Sequence, residues 1–182
     1  MNSIETLEKL DACAEAVDWA KQHGGNPEEL WRDCARGDWL LWAAVRAGGS
    51  QRLVARATCA IVRPALAHMP ADESRPRKAI ESIEALLRGE VTIEDVKAAA
   101  DAAHAASRYT DGAAYHAASA AYYAADAVID IACGADASDA TAYVASHAAV
   151  AAVVTDALAE PANIVRAHIP WSTITKLLEK VK

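Results

Sequence analysis

The chain has 182 residues, 53% of them hydrophobic and 24% charged, with a formal net charge of −7. That balance excludes a disordered polymer, and its acidity argues against a general nucleic-acid binder, for which no RNA or DNA motif is present either. No apolar run reaches the roughly 20 residues that a membrane-spanning helix needs.

The N-terminus, MNSIETLEKLD, has no basic-then-apolar leader pattern. The four cysteines, Cys13, Cys34, Cys59 and Cys133, form no C-x-x-C pair. Both features predict a cytoplasmic protein with buried, reduced thiols. Charge is unevenly placed: residues 89–160 hold eleven acids and two bases, whereas residues 32–88 hold ten bases and six acids. A chain polarised in this way can present one anionic and one cationic face.

In chain order, Ser3 predicts a first helix to about His23, with Leu7, Leu10, Ala14 and Val17 on one stripe. Asn26-Pro27 is a cap followed by proline at the first helical position. The helix it opens carries Leu30, Trp31 and Cys34. Gly37-Asp38 breaks and recaps, and a short helix follows with Trp39, Leu40, Trp42 and Val45. Gly48-Gly49-Ser50 opens the next, which Pro64 must kink or end. Residues 69–78, MPADESRPRK, read as a loop, and the helix after it stops at Gly89. Thr92, with Glu94 and Asp95 in the first turn, opens three alanine-rich helices at about 92–109, 112–132 and 137–158. Pro161 and Pro170 bracket a short segment, and Ser172 caps a last helix. No stretch alternates long enough to be a strand.

Alanine is the best helix former and carries almost no side chain, so the alanine-rich helices can pack with their backbones close. The fold class is therefore all-α: one domain over 1–182, a compact multi-helix bundle. A Trp/Cys-containing N-terminal lobe covers about 1–89, an Ala-rich lobe of closely packed helices about 90–160, and a C-terminal helix about 171–181. Flat alanine faces also favour a homodimer.

Three constellations carry chemistry. Trp39 and Trp42, three apart on one helix face, are either the core of the small lobe or a wall of a recognition pocket beside Arg36 and Asp38. Arg75 and Arg77 flank a stiffening proline, in a solvated loop or an anion-binding patch with Arg52, Arg56 and Arg63. His116, Ser119, Tyr123, Asp126 and Asp130 follow helical spacing along 112–132, while Asp101 and His104 stand three apart on the helix before. This polar stripe is an interhelical network or a surface for a ligand or partner. A His-Ala-Ala triplet recurs at His104, His116 and His147. No nucleophile elbow, phosphate loop or dinucleotide fingerprint is present, and the carboxylate–histidine spacing of a di-metal bundle is only faintly echoed by Asp101 and His104. The expectation is no catalytic set, no metal and no cofactor.

Four blocks stand out together: ACAEAVDWA (12–20), LWRDCARGDWLLWAA (30–44), RPRKAIESIEALLRGE (75–90) and the run AADAAHAAS … YHAASAAYYAADA … YVASHAAVAA. In this order they resemble the immunity proteins related to the fifth-named immunity family of bacterial polymorphic toxin systems, similar sequences of which also occur in phages. The resemblance spans roughly residues 10–155 and leaves out the helix after Pro161. It implies neutralisation of a protein toxin or effector by binding, without turnover, with His104 and His147 as the histidines that mark the alanine helices. Two function classes follow. One is an immunity-type or antitoxin-like binding protein whose acidic 89–160 face, with Asp126 and Asp130, meets a basic partner. The other is a small-molecule sponge, of phage anti-defence type, sequestering an anionic nucleotide-type signal by stacking on Trp39 or Trp42 with phosphate held by Arg75 and Arg77.

Overall fold

The computed structural model describes residues 3–151 and 159–181, and among these every regular element is a helix. In chain order they are α1 (Ser3–Lys9), α2 (Ala14–Gln22), α3 (Pro27–Asp33), α4 (Gly37–Arg46), α5 (Gln51–Ala65), α6 (Arg75–Arg88), α7 (Ile93–Ser107), α8 (Gly112–Ala132), α9 (Ser138–Ala151), α10 (Ala159–His168) and α11 (Trp171–Leu178). A 3₁₀ turn at Leu66–His68 follows α5.

Local chemistry explains most of the boundaries. Asn26 Oδ1 accepts the Glu28 amide at 3.1 Å, capping α3 ahead of Pro27. Thr92 and Asp95 form a reciprocal capping box at the start of α7. Gly89 takes φ +77° to close α6, a left-handed conformation that a Cβ would strain. Pro64 ends α5 within two residues.

Several expectations are corrected. The first helix is two: Asp11 turns the chain at φ 60°, which a short polar side chain tolerates better than most. Gly37 is no helix breaker. It is the buried first residue of α4, and a Cβ there would lie 2.7 Å from Pro161 Cβ and from the Ala162 backbone nitrogen. The 69–78 loop is shorter than expected, because α6 begins inside it at Arg75. The last helix begins one residue ahead of Ser172, with Pro170 at its cap. The thiols divide: Cys34 and Cys59 are buried and Cys13 and Cys133 exposed, all four free. Cys13 and Cys133 flank helix ends at chain turns, which face solvent. The end of the third alanine helix, residues 152–158, lies outside the described residues.

The helices form two layers. In one, α8 lies between α7 and α9; in the other, α4, α5, α6 and α10 pack beneath. At 21 residues α8 is about 31 Å long and is the central rod, since it touches α5 and α6 as well as its two neighbours. Ala117, Ala118, Ala120, Ala121, Ala124, Ala125 and Ala127 are all fully buried. These seven alanines of α8 are thus covered inside the chain. Polar ties lock the layers: Gln51 Nε2 donates to the Val128 carbonyl at 2.9 Å, and Arg46 reaches Asp136 at 2.6 Å and the Leu10 carbonyl at 2.9 Å.

A tyrosine, histidine and aspartate face on the alanine layer

With so much of α8 buried, one outward row remains. It carries Tyr115, His116, Tyr122, Tyr123, Asp126 and Asp130, at the three- and four-residue spacing that keeps side chains on one side of a helix. His104 on α7 and Tyr143 and His147 on α9 flank it. Because alanine elsewhere lets the three helices approach closely, these side chains meet across the helix seams.

The result is one continuous chain of rings running across the layer. His104 stacks on Tyr122 with centroids 4.7 Å apart, and Tyr122 lies 4.9 Å from Tyr123. Tyr123 stacks on Tyr143 at 4.9 Å and on His147 at 5.4 Å. His147 approaches His116, which packs edge-on against Tyr115 at 5.0 Å. Tyr143 is 51% exposed and Tyr115 40%, so solvent reaches the strip at its middle and at one end.

His116 and His147 meet through their Nδ1 atoms at 3.0 Å. A hydrogen bond there needs one Nδ1 to carry the hydrogen and the other to accept it, so two imidazolium rings are incompatible with the contact. Burial, and then the neighbouring His116, pull the His147 pKa below the ordinary histidine value. Burial first, then Asp130, push the Asp126 carboxyl above the usual carboxylate range, with His104 acting the other way. Asp130 is raised likewise by burial and then by Asp136. Burial also raises the Tyr122 and Tyr123 phenols, which therefore stay neutral hydroxyls at ordinary pH.

Of the residues singled out in the sequence, His104, His116, Tyr123, Asp126, Asp130 and His147 gather on this face. Ser119, on the same stripe, is buried. Sequence reasoning missed Tyr115, Tyr122 and Tyr143. The i, i+4 spacing of Tyr143 and His147 was the available signal, and it was masked by the attention the histidine triplets draw.

Trp39 and Trp42 stand elsewhere, on the wall of an apolar cavity between α1, α2, α3, α4 and α11. Arg75 and Arg77 do not join them. Arg75 is tied to Glu73, its neighbour just before α6, and lowers that carboxyl's pKa, while Arg77 points from the first turn of α6 into solvent. Arg63 is held by Glu84 at 2.6 Å, and Arg52 donates to the Leu87 carbonyl. Three of the five arginines of the expected anion patch thus meet acceptors of the chain itself, and neither Arg75 nor Arg77 lines the tryptophan cavity. Among the described residues no helix is long and apolar enough to cross a membrane.

Comparison with family models, with curated proteins and with solved structures finds no match to this chain.

Proposed function

We propose that the chain is an immunity-type protein that neutralises a basic protein toxin or effector by binding it, without turnover, through the tyrosine–histidine–aspartate face of α7, α8 and α9. The observation that carries the reading is the unbroken strip of seven rings beside two half-buried carboxylates. Tyrosine is a preferred anchor of protein interfaces because it offers a large, rigid contact area with a polar tip. Carboxylates beside it steer a basic partner and penalise an acidic one. The histidines pair with each other and with tyrosine rings rather than with a hydroxyl or thiol, which favours recognition over nucleophilic chemistry.

The test is co-expression. Among products of genes neighbouring this one, one that arrests growth when expressed alone is expected to be silenced by this chain. The purified pair is expected to form a complex that weakens as salt is raised. Tyr143→Ala is expected to weaken the complex about tenfold or more, as for an interface anchor. The double variant Asp126→Asn, Asp130→Asn is expected to lose rescue while staying helical by circular dichroism. Rescue that persists in both variants places the interface elsewhere, and a neighbourhood with no silenced toxin removes the reading.

A further inference from the structure

Where this chain draws a carboxylate out of water it usually answers it with an arginine. Among the described residues, five carboxylates are buried or half-buried: Asp38, Glu73, Glu84, Asp126 and Asp130. Arg36 holds Asp38 at 2.7 Å, Arg63 holds Glu84 at 2.6 Å, and Arg75 holds Glu73. Asp126 and Asp130 differ. Neither side chain has an ion pair or accepts a hydrogen bond among the described residues. The cations of α7, Lys97 and Arg108, are exposed and engage neither of them. Desolvating a carboxylate without a compensating cation is unfavourable, so nothing inside the fold accounts for this pair.

The two carboxylates stand beside a ring. Tyr122, Asp126 and Asp130 follow one another at four-residue steps along α8, which sets them on one side of the helix. Across the seam, His104 of α7 stacks on Tyr122 at 4.7 Å. Burial raises the Tyr122 phenol pKa, and the charges of Asp126, Asp101 and Asp130 push it further. Three carboxylates therefore lie within electrostatic reach of one tyrosine.

Elsewhere the chain shows what completes such an arrangement. The Arg36 guanidinium lies 4.5 Å from the centre of the Trp39 ring and forks onto Asp38, with Nε donating to Oδ1 at 3.0 Å and Nη2 to Oδ2 at 2.7 Å. Ring, carboxylate and guanidinium satisfy one another there. The α7–α8 seam supplies the ring and the carboxylate but no guanidinium. An ammonium would answer the charge alone, whereas a guanidinium both stacks on an aromatic face and forks onto a carboxylate.

We infer that the α7–α8 seam receives an arginine side chain of the partner, its guanidinium forked onto Asp126 and laid against the His104–Tyr122 stack, with Asp130 beside it. The inference rests on reading the α7–α9 face as a partner surface, and it names the group that the partner inserts there.

The chain alone tests it. The probes are the N-acetyl amides of arginine, of citrulline, which keeps the shape without the charge, and of lysine, which keeps the charge without the plane. Each is titrated at low salt, where screening is least, into ¹⁵N-labelled protein while backbone amide shifts are followed. The arginine probe is expected to move the amides of His104, Tyr122, Tyr123 and Asp126 together along one saturation curve. It is expected to bind about fivefold tighter than the citrulline probe and about threefold tighter than the lysine probe, the scale of a half-exposed ion pair and of a ring contact. Asp126→Asn, with its fold checked by circular dichroism, is expected to abolish this site. Asp18→Asn, at an exposed carboxylate of α2, is expected to leave it intact. Shifts scattered over the exposed carboxylates, equal binding of the arginine and lysine probes, or a site that survives Asp126→Asn each overturn the inference, while the co-expression test can still find a partner on the rest of the face. An arginine-selective seam in a chain that silences no toxin removes the toxin reading and leaves the arginine site standing.

Discussion

Single side chains on the α7–α9 face are held in protonation states that the fold itself resists. The Asp126 carboxyl is raised above its ordinary value of 3.8 by burial and by Asp130. A group raised in the folded state contributes stability below its unfolded pKa and loses that contribution as pH rises through the folded one. At neutral pH the Asp126 carboxylate therefore weighs against folding, and its neighbour Asp130 does the same. Asp126→Asn is expected to raise the melting temperature at pH 7, with the gain shrinking as pH falls through the folded pKa and vanishing only below the ordinary value of 3.8, where both states carry the proton. Thermal melts across that range check it. A stabilising neutralisation that abolishes partner binding is the signature of a residue kept for recognition. His147 runs in the opposite sense. Its pKa lies below the ordinary histidine value of 6.5, so its contribution is intact above that pH and is lost as pH falls through the folded pKa. Mild acid is expected to lower the melting temperature by separating the His116–His147 pair. His147→Gln is expected to flatten that slope, and an unchanged slope would show that the pair does not govern it.

Helices were the most legible level in the sequence, because their punctuation is local. Asn26-Pro27, Thr92 with Asp95 and Gly89 are caps that act within four residues, and each stands where the sequence placed it. What eluded sequence reading depends on distant partners. Gly37 looks like a breaker, yet its missing side chain lets α4 pass against Pro161 and Ala162 more than a hundred residues away. The ring strip was half legible: helical spacing aligned His116, Tyr123, Asp126 and Asp130, but their union with His104, Tyr143 and His147 requires knowing that α8 lies between α7 and α9. The tryptophan cavity was less legible still, since Trp171 arrives from the far end of the chain. Two substitutions separate local from distant control. Thr92→Ala removes the capping box and is expected to destabilise by about 1 kcal/mol. Gly37→Ala must push α10 away from α4 and is expected to destabilise by about 2 kcal/mol, within the range for overpacked sites. Urea unfolding measures both, and a Gly37→Ala loss no larger than that of Thr92→Ala would show that the helix contact yields without strain.

Taken whole, the molecule has a dense half and a looser one. Helix α8 is enclosed by α5, α6, α7 and α9, and its alanines leave little room for independent motion. By contrast α1 packs chiefly on α2, and α11 chiefly on α3, and these four helices, with α4, surround the tryptophan cavity. One polar tie at that end is Arg166, whose guanidinium donates to the carbonyls of Cys34 at 2.7 Å and Trp31 at 3.3 Å, fixing α3 to α10. Regions with few buried contacts open locally at free energies well below that of global unfolding. Amide hydrogen exchange should therefore divide the chain. Amides in the middle of α8 are expected to exchange only through global unfolding, with a steep dependence on added urea. Those of α1, α2 and α11 are expected to exchange through small openings that urea hardly affects, because little surface is exposed when a peripheral helix lifts. Equal protection and equal urea dependence in both halves would mean that the molecule opens as one unit.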